Sequence, residues 1–300
     1  HIHAVLRRLV ILTIVLSLLA PATIKASPAW IVTDYETGTV LISEDADSRR
    51  YPASLTKLMT LYLLFEAVEE GRVTLDQNFQ VSRNAAEQPP TKLKLKVGAY
   101  IKVADCIDAL ILRSANDVAV VVAEGLAGSE SAFAAKMTHK AAQLGMSSTA
   151  FRNASGLPDL EQTTTARDLA ALAHAIIKRL PEHYHHFSLR SSRAAGKDIS
   201  THNSFLSYEG ADGLKTGYTQ AAGHNLAASA MRGGHRLIGI VLGVAGPLSV
   251  TLFVDNIAIP ISVTSIVVAF GVSMVVGLIF GILPANRASQ LNPTEALRYE

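Results

Sequence analysis

The chain has 300 residues, of which 49% are hydrophobic and 17% are charged, and its net charge at pH 7 is +2. The length permits one large domain or two small ones, and the apolar composition is a reason to look for membrane segments. The small net charge, without a basic run that includes aromatic residues, argues against a nucleic-acid partner. Cysteine and histidine form no zinc-like cluster, so no metal or other cofactor is expected, and the single Cys106 is predicted to be a core thiol.

The first 26 residues have the organisation of a secretory signal peptide. Arg7 and Arg8 precede an uncharged apolar run, Leu9 to Ala20, which Pro21 ends before a stretch of small residues. The run is too short to cross a bilayer comfortably, although an uncleaved anchor is the alternative interpretation. We therefore expect residues 1–26 to direct export of the chain.

The residues that follow this signal predict a β-hairpin. Residues 29–34 are apolar and rich in β-branched side chains, and residues 39–42 form a matching return strand. Between them, Glu36, Thr37 and Gly38 have the composition of a turn.

A buried helix is predicted from Ser54 to about Glu70. Pro52 ends the preceding segment, Ser54 is a favourable N-cap, and Gly71 is a typical residue after a helix end. The helix is apolar almost all the way round, which indicates burial. Because residues three apart share a helix face, the Ser54 hydroxyl and the Lys57 amine are expected to meet.

A buried amine beside a hydroxyl can make a serine nucleophilic. Burial favours the neutral form of Lys57, which can then accept the proton of Ser54. The alternative is an ordinary capped helix whose lysine extends to water. The spacing of the two residues is a weak signal by itself.

The central part of the chain is predicted to be mainly helical. Residues 77–100 are polar and loop-like, although the alternation over residues 92–96 is typical of an exposed strand. Another loop is predicted over residues 151–159. A patch of three histidines lacks the spacing of metal ligands and is interpreted as a solvated loop: His183, His185 and His186. Helices are predicted over residues 103–112, 118–124, 131–143 and 165–178.

Strands return after Gly210. Residues 225–231 and 237–244 form a predicted hairpin around the turn that contains Gly233 and Gly234. Strands at both ends of the region can pair in one antiparallel sheet. The predicted fold class is therefore α/β (α+β), an antiparallel sheet flanked by helices with an inserted helical lobe.

Three short motifs occur in a fixed order: Ser54-x-x-Lys57, Ser114-x-Asn116 and Lys215-Thr216-Gly217. This triple is known from class A β-lactamases and penicillin-binding proteins. Two further stretches are typical of one family of penicillin-binding proteins rather than of β-lactamases: F-x-N-x-x-G-L-P-D over residues 151–159 and G-x-D-G-L-K-T-G-Y-T over residues 210–219. From about Pro28 to Val244 the chain resembles the serine D-alanyl-D-alanine carboxypeptidases, the low-molecular-mass penicillin-binding proteins. The resemblance implies a β-lactamase/transpeptidase-like catalytic domain over residues 27–248.

This resemblance assigns catalytic roles to three residues. Ser54 would attack the carbonyl between two D-alanines and form an acyl-enzyme, with Lys57 as the base. Ser114 would relay a proton to the leaving amine. The implied substrates are peptidoglycan stem peptides, and β-lactams would acylate the same serine.

The resemblance also implies a set of substrate-binding residues. Lys215 would attract the terminal carboxylate, and its charge would disfavour protonation of Lys57. The backbone N–H groups of the nucleophile and of Tyr218 would form the oxyanion hole. Asn116 would hold the peptide amide, and Thr216 would hold the terminal carboxylate. The implied substrate-binding residues are therefore Asn116, Lys215, Thr216, Gly217 and Tyr218.

The sequence departs from the family pattern after the last predicted strand. Relatives usually have an arginine shortly after that strand and a closing helix on the sheet, whereas the next arginine here is Arg287. We therefore expect a catalytic domain that is less stable than its relatives, with weak or no turnover.

The C-terminal region predicts a membrane anchor. After a junction over residues 249–256, residues 257–283 are uncharged and long enough to cross a bilayer. Residues 284–300 resemble the cytoplasmic tail of macrolide-exporter-type ABC transporter permeases. Arg287 and Arg298 follow the span, so the tail is expected in the cytoplasm and the catalytic domain in the bacterial periplasm, tethered to the membrane. The alternative is a span that folds back onto the catalytic sheet.

Three functions are compatible with the sequence. The first is a periplasmic D-alanyl-D-alanine carboxypeptidase, and the second is a β-lactamase. A β-lactamase requires a deacylating glutamate between Asn116 and Lys215, but none has the expected context: Glu124, Glu130, Glu161, Glu182 and Glu209. The third is a non-catalytic penicillin-binding or membrane-interaction protein.

Overall fold

The computed structural model describes residues 27–244, which belong to the first of the two units of the chain, residues 1–250. The predictions of a signal peptide, a junction, a membrane span and a cytoplasmic tail lie outside the described residues. The expected loss of the arginine and helix after the last strand also lies outside them.

Five strands form one antiparallel sheet: β1 (Ala29–Asp34), β2 (Val40–Glu44), β7 (Ala211–Thr219), β8 (Gly223–Arg232) and β9 (His235–Val244). Their order across the sheet is β2-β1-β9-β8-β7. The N-terminal hairpin pairs with the C-terminal hairpin through β1 and β9, where Ile31 lies opposite Ile240. This pairing confirms the predicted sheet with a helical lobe inserted in the sequence between its strands.

The helical lobe is built around helix α1, Thr56–Glu69, in which eleven of fourteen residues are buried. The predicted helices are present, with ends displaced by a few residues. Cys106 is fully buried, as predicted for a core thiol. The other helices are α2 (Arg83–Glu87), α3 (Val103–Asp108), which continues as a π-helix (Ala109–Arg113), α4 (Asn116–Ala127), α5 (Glu130–Gln143), α6 (Ala166–Arg179) and α7 (Pro181–Tyr184).

The prediction of a strand over residues 92–96 is wrong. The backbone N–H groups of Leu93 and Leu95 donate instead to the carboxylate of Asp117, at 3.0 and 3.2 Å. A side chain thus takes the hydrogen bonds that a partner strand would otherwise provide. Two small antiparallel sheets pair β3 (Asn78–Gln80) with β4 (Tyr100–Lys102) and β5 (Ser191–Ala194) with β6 (Lys197–Ser200).

The interpretation of the histidine patch as a solvated loop is wrong for His183 and His186, whereas His185 is exposed to solvent. His183 lies in α7 and is buried, with its ring stacked on Phe65 at a centroid distance of 4.7 Å. Its Nε2 atom lies 2.9 Å from a carboxylate oxygen of Glu69, and His186 contacts Asp108 in a similar way. The acidic partners are distant in sequence, so no local pattern indicated them.

Within residues 27–244, no individual helix has both the length and the apolar composition needed to cross a membrane. Only together do helices α4 and α5 have the length and apolar composition of a membrane span, and they are bent by 82° relative to each other.

Candidate active site

Ser54 lies in a 3₁₀ turn, Ala53–Leu55, that leads directly into α1. The prediction that Ser54 caps the helix is wrong, because neither the turn nor α1 has a side-chain cap. The Ser54 Oγ atom lies instead 3.3 Å from the Nζ atom of Lys57. The expected meeting of hydroxyl and amine is therefore present, and the hydroxyl is not used by the backbone.

Close packing around this turn fixes the position of Ser54. The side-chain amide of Asn225 donates to the carbonyl oxygens of Tyr51 and Pro52, at 2.9 and 3.0 Å. Gly156 has a φ of +87°, and a Cβ atom there would lie 1.8 Å from the carbonyl oxygen of Ala53. Gly217 is similarly confined, since its Cβ would lie 2.9 Å from the Ser54 nitrogen. Only glycine fits at these two positions.

The Lys57 amine is enclosed by three oxygen atoms. Its Nζ atom donates to the side-chain oxygen of Asn116 at 2.8 Å and to the carbonyl oxygen of Ser155 at 2.5 Å. These two acceptors account for both N–H bonds of a neutral amine. Its lone pair is then available to the Ser54 hydroxyl, which is the arrangement that a general base requires.

The electrostatic surroundings favour this neutral amine. Burial is the main reason that the pKa of Lys57 lies well below its ordinary value, and the nearby charge of Lys215 lowers it further. The carboxylate of Asp117 acts in the opposite direction. Desolvation is the larger effect, because the lysine side chain has no exposed surface.

The second motif contributes Ser114 and Asn116 to the lining of the same cleft. Ser114 has left-handed backbone angles, φ 55° and ψ 37°, at the junction between the π-helix and α4. Thr91 supports the turn from both sides: its hydroxyl donates to the Ser114 carbonyl at 2.9 Å, and its carbonyl accepts from the Asn116 N–H at 2.7 Å. The Ser114 hydroxyl is buried and has no hydrogen-bond partner within the described residues. It is therefore available for proton relay.

The third motif lies on the edge strand β7. Lys215 is 3% exposed, and its Nζ atom donates to the carbonyl oxygen of Thr216 at 2.8 Å. Burial lowers the pKa of Lys215 to about 7. The three motifs meet at a cleft of about 580 Å³. The predicted site residues that line it are Ser54, Ser114, Asn116, Lys215, Thr216, Gly217 and Tyr218, while Lys57 lies beneath Ser54.

No carboxylate side chain of the described residues lines this cleft. The glutamate required for the β-lactamase interpretation is therefore not in place. Glu130, for example, accepts from the backbone N–H of Ala154 at 3.1 Å and is not part of the cleft lining.

Sequence reasoning missed several residues that shape the site. The Ser155 carbonyl accepts from Lys57, and the Asn225 amide holds the turn before Ser54. The Asp117 carboxylate acts on the site through its charge, which raises the pKa of Lys57. His202 is also part of the cleft lining, and Arg113 contacts it. Ser155 lies in the loop that the resemblance had identified, but nothing in the local pattern indicated Asn225 or His202.

The fold, an antiparallel sheet with helices, is that of solved penicillin-binding proteins. The family model described as D-alanyl-D-alanine carboxypeptidase matches residues 17–246. The chain belongs to this family.

Individual relatives agree with this assignment. The chain is 37% identical over 226 residues to D-alanyl-D-alanine carboxypeptidase DacC of Escherichia coli, a match that covers 72% of this chain and 56% of the relative. The crystal structure of the carboxypeptidase DacD from Francisella tularensis aligns with a TM-score of 0.72 and 31% identity, over 77% of this chain and 69% of that one. Penicillin-binding protein D2 from Listeria monocytogenes, in its ampicillin-bound form, aligns with a TM-score of 0.63 and 34% identity, over 73% and 89% of the two chains. The chain thus spans 56% to 58% of the length of the first curated relatives that it matches.

Proposed function

We propose that the chain is a serine-type D-alanyl-D-alanine carboxypeptidase that removes the terminal D-alanine from peptidoglycan stem peptides. One observation carries the proposal: a desolvated Lys57 amine, with both hydrogens bound elsewhere, lies beside the Ser54 hydroxyl at the cleft. The same nucleophile would be acylated by β-lactams, whose reactive ring carries an amide-like carbonyl and a nearby carboxylate.

Acylation begins with proton transfer from Ser54 to Lys57. The serine oxygen attacks the carbonyl of the scissile bond, and the resulting oxyanion accepts hydrogen bonds from the backbone N–H groups of Ser54 and Tyr218. The free hydroxyl of Ser114 passes a proton to the leaving amine as the bond breaks. Ser114 recovers its proton from the protonated Lys57, so the proton that left Ser54 ends on the amine of the released D-alanine and Lys57 is neutral again.

Substrate orientation depends on the edge strand. Lys215 and Thr216 line the cleft and would hold the terminal carboxylate, and Gly217 allows the strand to approach the nucleophile closely. Asn116 remains a predicted ligand of the peptide amide. In the free site its amide group is bound to Lys57 and to the Pro89 carbonyl, so it also orients the base.

Deacylation requires an activated water molecule. The described part of the cleft is lined by no carboxylate, so the regenerated Lys57 amine is the base nearest to the acyl-enzyme. The same lysine would thus act as the base in acylation and in deacylation. The acyl-enzyme formed with a β-lactam persists because the cleaved amine stays attached to the acyl group and remains in the cleft, where water would have to enter.

Two measurements on the full chain test this function. A fluorescent penicillin should label the protein covalently, and a peptide ending in D-Ala-D-Ala should release D-alanine. Labelling without release would support the alternative of a non-catalytic penicillin-binding protein. Rapid hydrolysis of penicillin would support a β-lactamase. No labelling and no release would contradict the proposed function.

The charge of Lys215 predicts a pH-dependent recognition of carboxylates. Because its pKa is about 7, Lys215 is charged below that pH and neutral above it. The KM for a peptide acid should therefore rise as the pH increases from about 6 to 8, with a midpoint at or above 7 because a bound carboxylate stabilises the charged lysine. A Lys215→Gln variant should lose this dependence. A KM that stays constant over this range in the unmodified protein would exclude Lys215 as the responsible cation.

We also propose that the protein is exported and tethered to the cytoplasmic membrane. The sequence features that support this location are the signal-like residues 1–26, the apolar residues 257–283 and the permease-like residues 284–300. After expression in a bacterium, the protein should remain in the membrane pellet through an alkaline carbonate wash, and a variant ending at residue 256 should be released. Full-length protein in the alkaline-soluble fraction would contradict the tether.

A further inference from the structure

Arg113 and His202 form a contact pair at the rim of the cleft. An Nη1 atom of Arg113 lies 2.8 Å from the Nε2 atom of His202, and His202 is part of the cleft lining. Neither residue belongs to the three motifs. Arg113 immediately precedes Ser114, whereas His202 lies in the segment between β6 and β7.

The chemistry of the contact defines the state of both side chains. A guanidinium group can only donate, so His202 accepts through Nε2 and carries its single proton on Nδ1. Partial burial lowers the pKa of His202, and the charges of Arg113 and Lys215 lower it further. His202 is therefore a neutral group that holds the charged Arg113 at the rim.

Arg113 retains most of its capacity to bind an anion. A guanidinium carries five N–H bonds, of which the contact with His202 uses one. Within residues 27–244, no carboxylate forms an ion pair with Arg113. No carboxylate of these residues lines the cleft either. Lys215 lines the cleft and Arg113 contacts the lining residue His202, and the charges of both cations act on that histidine without a carboxylate in the described part of the lining to balance them.

We propose that Arg113, positioned by His202, binds the carboxylate of the leaving D-alanine. The inference rests on the proposed function. Ser114 is placed to protonate the leaving amine, and the carboxylate of that residue is only two bonds from the amine. Arg113 directly precedes Ser114 and contacts His202, which lines the cleft together with Ser114 and Lys215. Arg113 can bind the carboxylate in the bidentate manner that arginine favours.

The test measures binding without bond cleavage, in the full chain with Ser54→Ala. Two ligands are compared by calorimetry, an N-acetylated peptide ending in D-Ala-D-Ala and its C-terminal amide. The acid should bind more tightly than the amide. Arg113→Ala should reduce binding of the acid about tenfold and leave binding of the amide unchanged, a size expected for a charge-assisted hydrogen bond at an exposed rim. Added salt should reduce the difference between the two ligands.

Variants of His202 test its positioning role. His202→Gln keeps an acceptor for Arg113 and should bind the acid almost normally, whereas His202→Ala should weaken binding of the acid selectively. Arg72→Ala, which removes the same charge from an arginine paired with Glu70 outside the cleft, is the matched control.

Other outcomes overturn the proposal. Equal weakening of both peptides by Arg113→Ala would show a structural role only. No weakening of either peptide would show that Arg113 does not bind the carboxylate, whereas binding of neither peptide to the Ser54→Ala protein would contradict both this inference and the proposed substrate. Because the assay needs no turnover, it gives its answer even if the unmodified chain releases no D-alanine. Failure of that release would count against the proposed function alone.

Discussion

Replacement of Ser54 by alanine should abolish covalent labelling by penicillin and leave the fold unchanged. The variant removes one oxygen atom, which contacts only the Lys57 amine among the described hydrogen-bond partners. Without this oxygen no acyl-enzyme can form, although the cleft and its cations remain. Labelling with a fluorescent penicillin, followed by denaturing electrophoresis, measures the effect directly.

Two controls make the Ser54 result specific. Ser207→Ala removes an exposed hydroxyl that donates to the Ser204 carbonyl, and it should leave labelling unchanged. Thermal unfolding should show the same midpoint for Ser54→Ala and the unmodified protein to within a few degrees, because the loss of one net hydrogen bond is small. Persistent labelling of Ser54→Ala at the normal rate would identify a different nucleophile.

The local part of the site was predictable because it depends on helix geometry. Ser54 and Lys57 are three residues apart, and any helical turn places such residues on one face. The apolar sequence after them also predicted the burial that lowers the pKa of the lysine. The remaining two motifs entered through the resemblance to a known family, since no periodicity shows that Ser114 and Lys215 approach the same cleft.

The features that were missed or misassigned depend on contacts between distant parts of the chain. The alternation around Leu93 is typical of a strand, but the carboxylate of Asp117 takes its backbone hydrogen bonds. His183 is surrounded by polar residues in sequence and yet stacks on Phe65 of the central helix. In the same way, Asn225 supports the turn of the nucleophile from strand β8. Tertiary structure decides each case, and the local sequence contains no signal for it.

Replacement of Lys57 by methionine should slow acylation by roughly 10²- to 10⁴-fold, the usual contribution of a general base. Methionine keeps much of the apolar stem and removes the amine, so packing around α1 is disturbed little. In the unmodified protein, acylation should be fast at pH values far below the ordinary pKa of lysine, because burial keeps Lys57 neutral there. The rate of penicillin acylation can be measured by stopped flow as a function of pH. The unmodified protein should show this activity, and the pH–rate profile of the variant should lack the part that reflects the ionisation of Lys57.

Lys140 provides a control variant for Lys57→Met. It shows whether the loss of any partly buried lysine slows acylation, or only the loss of the base. Lys140 is 18% exposed in its side chain and forms an ion pair with Glu66 at 2.7 Å, outside the cleft. Lys140→Met should acylate at the normal rate, even where its ion pair contributes to stability. The Lys57 amine lies within reach of the Ser54 hydroxyl, whereas the Lys215 amine donates to a backbone carbonyl on β7. Acylation of Lys57→Met within a few-fold of normal would therefore mean that another group, with Lys215 the first to test, takes the proton from Ser54.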